Sequence, residues 1–146
     1  MILLLTFTLT AVMTGIIWFV QINHYPLFLK IGKAEFISYE KEHTRLAGLL
    51  IAPLMLIELA LSVLLVFNET KQHTLAVSAL ALLIVIWAST FAGQVPLHQK
   101  LIAEYNKKFI QQLIRTNWLR TVFWTVRLLI LGSMLGSVML SAAKHL

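Results

Sequence analysis

Four separate stretches of this sequence, residues 2–23, 46–67, 74–95 and 119–142, are almost wholly apolar. A helix that crosses a bilayer needs roughly 20 such residues. The turns left between these stretches are short, so no room remains for a soluble domain. The charge content agrees. Only 12% of the 146 residues are charged and 59% are hydrophobic, whereas a soluble domain carries about 25% charged residues. The expected fold is therefore all-α: an integral membrane four-helix bundle. It comprises two helical hairpins with amphipathic cytoplasmic linkers in a single domain over residues 1–146.

The first stretch has no positive residue ahead of it and no small-x-small cleavage signal before His24. It reads as a retained helix rather than a signal peptide. Cysteine is absent, which excludes disulfides and thiolate metal sites. The net charge of +6 is a topology signal. Lys30, Lys33, Lys41 and Arg45 lie in the first linker, and Lys100, Lys107, Lys108, Arg115 and Arg120 in the third. The second linker has only Lys71. The positive-inside rule places linkers 24–45 and 96–118 in the cytoplasm of an inner-membrane protein, with both termini outside. Lipid is the expected partner, and nothing points to nucleic acid.

Polar residues recur in stripes. Thr6, Thr10, Thr14, Trp18, Gln21 and Tyr25 share one helix face, as spacings of three and four require. Thr at close helix contacts favours packing over a site. Residues 33–45 read as a helix continuing into the second span, with Phe36, Tyr39, His43, Ala47 and Leu50 on one face. Pro26 is expected to end or bend its helix, Pro96 to interrupt its own, and Pro53 to kink the second span. Residues 100–116 read as one amphipathic segment, either an interfacial helix or a cytoplasmic extension of the fourth span. Glu58 lies near mid-span, where an unpaired carboxylate is costly. The one cation at comparable depth is Arg127, and an ion pair between them is expected. Gly132 and Gly136, with Ser133 and Ser137, form a small-xxx-small patch; plain packing is the leading reading and a homo-oligomer contact the minor one. A faint internal echo links Pro26-Leu27-x-x-Lys30 to Pro96-Leu97-x-x-Lys100.

The candidate site lies at the cytoplasmic ends of the helices. His24, His43 and His98 gather there beside Tyr25, Arg45, Gln94, Asn117 and Arg120. Three readings stand. In the first, His98 and His43 act as acid–base groups near neutral pH, while Gln94, Asn117, Arg120, Arg45 and Tyr25 orient a small aromatic or quinone-like molecule. In the second, His24, His43 and His98 ligate a metal ion or a b-type haem. In the third, the polar residues only lock helices together in a structural or accessory protein. The cofactor is accordingly none, or haem or a metal ion.

Val95-Pro96-Leu97-His98-x-x-Leu101 and Asn117-Trp118-Leu119-Arg120 resemble motifs of the anthrone oxygenase-like family of small four-helix membrane proteins. That family typically has Asn where His98 stands. The resemblance implies oxygenation of a reduced aromatic ring without a tightly bound cofactor, and so an oxidoreductase-like activity if the chain is an enzyme.

Overall fold

The computed structural model describes residues 1–144 and is helical almost throughout, with no strand among the described residues. Four helices are each long and apolar enough to cross a membrane: α1 (Ile2–Lys30), α2 (Lys33–Asn68), α3 (His73–Ala103) and α4 (Lys107–Ala143). Residues 31–32, 69–72 and 104–106 are the only connections among the described residues, so consecutive helices are antiparallel and the start of α1 and the end of α4 share one end of the bundle. Around the bundle α1 touches α2 and α4, and α3 touches α2 and α4. The first and third turns lie at the opposite end, the linker end.

All four helices extend beyond the apolar stretches, because amphipathic sequence continues each one past the hydrocarbon. Residues 33–45 are one such extension and enter α2 without a break. Residues 100–116 are not one helix: residues 107–116 extend the fourth span, as the second reading has it, while residues 100–103 close the third. The chain turns extended at Glu104 and Asn106. α3 ends before that turn and α4 begins after it. Asn106 makes the turn, its side-chain oxygen accepting the Lys108 N–H at 3.0 Å, which satisfies an orphan donor of the new helix. His73 opens α3 and is exposed.

Neither Pro26 nor Pro96 breaks its helix. Each is preceded by a π turn, Val20–His24 in α1 and Thr90–Gln94 in α3. There the N–H of Tyr25 reaches Val20 O, and the N–H of Val95 reaches Thr90 O. The wider turn absorbs the misfit just ahead of a residue with no N–H to give. α1 continues to a closing 3-10 turn at Phe28–Lys30 and α3 continues to Ala103. The same device thus recurs at the same register in both hairpins. One extra residue in a turn rotates the following side chains by about 100°, which re-aims those that follow each π turn.

The core has three apolar layers. At the linker end Tyr25, Phe28, Phe36, Leu97, Leu101 and Leu113 pack together. Mid-bundle, Met13, Ile17, Met55, Ile86 and Trp124 form the second layer. Leu65, Ala76, Ala79, Leu131 and Met134 close the terminal end. Two polar layers lie between them. One holds Gln21, Gln94, Asn117 and Arg120; the other holds Thr10, Glu58, Ser62 and Arg127, and all eight are buried.

Candidate functional site

The deeper polar layer is fully partnered. Arg127 donates to the Glu58 carboxylate, to Thr10 Oγ1 and to Ser62 Oγ. Its Nε donates to Ala79 O at 3.0 Å. Glu58 also accepts from Thr10 Oγ1 at 2.9 Å and from Trp124 Nε1 at 3.3 Å. Every helix contributes a group, and both charges are wholly buried. A buried pair with all its donors and acceptors met has nothing left for a ligand. This layer joins the helices. The threonine stripe of α1 belongs with it: Thr6 and Thr14 donate to backbone carbonyls of their own helix. Of the small-residue patch on α4, Gly132 abuts Phe7, while Ser133 and Ser137 face outward.

The layer nearer the linker end is incompletely partnered. Gln21 Oε1 accepts from Asn117 Nδ2 at 2.9 Å, and Asn117 Oδ1 accepts from Arg120 Nη1 at 3.0 Å. The Arg120 guanidinium lies over the Trp124 ring at 5.4 Å and beside the Tyr25 hydroxyl. It makes no ion pair among the described residues, though only 6% of it is exposed. Gln94 Nε2 donates to Thr116 Oγ1 at 2.9 Å. Three buried atoms, Arg120 Nε, Gln94 Oε1 and Trp87 Nε1, have no hydrogen-bond partner. An unmet buried donor or acceptor costs about 1–3 kcal/mol.

Those three residues line one cavity of about 550 Å³ between α2 and α3, backed by α1 and α4. Tyr25, His43 and His98 line it as well. Its outer border is made of Gly48, Ala52 and Leu56 on α2 and Phe91 and Val95 on α3, all exposed. The cavity therefore opens sideways between these two helices, through their apolar sections.

The three imidazoles lie side by side, the His43 ring 4.7 Å from that of His24 and 5.3 Å from that of His98, centre to centre. His24 Nε2 and His43 Nδ1 face each other at 3.0 Å. His98 Nε2 meets the Tyr25 hydroxyl at 3.0 Å, and His98 Nδ1 meets the Glu40 carboxyl. Glu40 is completely buried, and its Oε2 has no partner. Among the described residues no group of three or more His, Asp or Glu side chains is placed to hold a metal ion. The three-histidine metal reading of His24, His43 and His98 does not fit this geometry.

Of the residues singled out in the sequence, Tyr25, His43, Gln94, His98 and Arg120 border the cavity. Asn117 lies behind Arg120 and holds it, while His24 lies behind His43. Arg45 is elsewhere. Its side chain is 61% exposed and paired with Glu42 at 2.6 Å, because the two stand one turn apart on the outer face of α2. Arg45 does not line the cavity and is not placed to orient a ligand there. Glu40 and Trp87 are the additions. Glu40 sits among Glu35, Lys41 and Glu42 in a stretch that reads as solvated. Its signal is helical phase: it lies one turn from Phe36 and from His43, both of which turn inward. No family model, curated protein or solved structure matches this chain.

Proposed function

We propose that the chain binds a small hydrophobic aromatic or quinone-like molecule drawn from the bilayer through the gap between α2 and α3. The carrying observation is the set of unpartnered polar atoms on Arg120, Gln94 and Trp87 around a laterally open, mostly apolar cavity. Its size lies in the range that holds small ligands. A carbonyl oxygen would accept from Arg120 Nε and Trp87 Nε1, and a ring hydroxyl would donate to Gln94 Oε1. Basic residues of the linkers support a cytoplasmic position for this end of an inner-membrane bundle. The resemblance to anthrone oxygenase-like proteins supplies oxygenation of a reduced aromatic ring as the reaction to assay; as an analogy it carries less weight than the site.

The test is titration of the detergent-purified protein with a naphthoquinone and with an anthrone, followed by quenching of tryptophan fluorescence. Saturable quenching is expected. Trp87→Phe keeps the ring and removes one donor, so affinity should fall about tenfold, the effect of one lost hydrogen bond. Unchanged affinity would remove Trp87 from the site, and absence of saturable binding would overturn the proposal. Gly48→Leu provides a second check. A Cβ at Gly48 meets nothing within 4 Å, so leucine fills space at the mouth. Binding should weaken, while the thermal midpoint holds or rises, since glycine inside a helix costs about 1 kcal/mol relative to alanine.

A further inference from the structure

The chain Glu40–His98–Tyr25 is more than the cavity needs in order to hold a neutral ring. An ionised Glu40 can only accept, and with that partner His98 donates from Nδ1. Nε2 is then the free acceptor, and the hydrogen bond of 3.0 Å runs from the Tyr25 hydroxyl to it. The same hydroxyl borders the cavity, with the unpaired Arg120 cation beside it. A ligand entering through the apolar gap has to be neutral, because charge in hydrocarbon is costly. A ligand that satisfies Arg120 best is an anion. A base at the inner end of the cavity reconciles the two requirements.

We infer that Tyr25, His98 and Glu40 form a proton relay that deprotonates an acidic ring hydroxyl, so the ligand class is a phenol or enol held as its anion against Arg120. This inference rests on the cavity being a ligand site, as proposed above. In the step the ligand O–H bond breaks and its proton moves to Tyr25 Oη. The Tyr25 proton passes to His98 Nε2. The imidazolium so formed is paired with the Glu40 carboxylate, and the ligand oxygen keeps its electron pair beside Arg120. Nothing is oxidised or reduced. A carboxylic acid would ionise in water without such a base, and an amine would be repelled by Arg120. Tyr25 and His98 are the catalytic residues, and Glu40 is a positioning residue that acts through His98. The titratable or charged groups facing Tyr25 are His24 on its own helix, Glu40 and His43 on α2, His98 on α3 and Arg120 on α4.

The probe is 2-naphthol, whose neutral and anionic forms absorb at different wavelengths, with 2-methoxynaphthalene as the analogue that has no proton to lose. With the full-length protein in detergent at neutral pH, bound 2-naphthol should show the anion band. In Glu40→Gln and in Tyr25→Phe the ionised fraction of the bound probe should fall at least about tenfold, one unit in its apparent pKa. Folding of both variants is checked by far-UV circular dichroism, and 2-methoxynaphthalene should bind the wild type with no anion band. A wild-type protein that binds 2-naphthol in its neutral form would overturn the relay and leave the cavity reading standing. An anion band that persists in both variants would overturn the relay as well, assigning ionisation to Arg120 alone. Failure to bind either naphthalene would overturn the cavity reading and the relay together.

Discussion

Arg127→Met should destabilise the bundle by about 3–5 kcal/mol, the loss expected when one member of a buried pair is removed and the other stays charged. Glu58 would keep Thr10 and Trp124 as donors but lose its only cation, and Ser62 and Ala79 O would lose the guanidinium that joins α2 and α3 to α4. Glu58→Leu should cost a similar amount by stranding Arg127. The double variant should recover much of the loss, because an apolar pair of similar volume is often as stable as a buried ion pair. The measurement is the unfolding midpoint in mild detergent, read by circular dichroism for the wild type, both singles and the double. Effects of the singles that simply add would show that Glu58 and Arg127 are not coupled. Ligand affinity should change far less than stability, since Thr10, Glu58, Ser62 and Arg127 do not line the cavity and only Trp124 links the two.

The four spans and the depth of Glu58 and Arg127 can be read from the sequence because hydrocarbon imposes a length and a polarity that local sequence must meet. The linker end is less legible, since a polar residue there is compatible with water, headgroups or burial. Glu40 illustrates this. Its neighbours Lys41 and Glu42 are exposed, and only helical phase sets it apart. Arg45 erred the other way: an arginine near three histidines looks like a ligand group, yet Glu42 at i−3 offers it a nearer partner. The π turns escape sequence reading because their i→i−5 bonds depend on what the helix packs against, so Pro26 and Pro96 look like stops. The turn at residues 104–106 did carry a signal, Asn106 as a cap ahead of Lys107 and Lys108, but continuous amphipathic spacing on both sides masked it.

Arg120→Met is expected to move stability and binding in opposite directions, the reverse of the pattern at Arg127. Arg120 is nearly as buried as Arg127 but has no carboxylate; its fixed contacts are the Asn117 amide oxygen and the Trp124 face. An uncompensated charge in such a place destabilises the fold, so an apolar residue of similar length should hold or raise the thermal midpoint, less the modest cost of leaving Asn117 Oδ1 without its donor. A site kept at the expense of stability is expected where function demands it. Binding should suffer in proportion to a charge-assisted hydrogen bond, about 1.5–3 kcal/mol or roughly 10- to 150-fold in affinity for the quinone. Arg120→Lys should recover little of it, because a point charge on a flexible stem neither stacks on Trp124 nor spans Asn117 and the cavity together. Midpoints measured without ligand and affinities measured by fluorescence quenching, on the same preparations, decide the matter. If Arg120→Met unfolds the protein as Arg127→Met does, Arg120 is a structural strut. If the midpoint holds and affinity is unchanged, the cavity does not use its unpaired cation, and the ligand assignment falls with it.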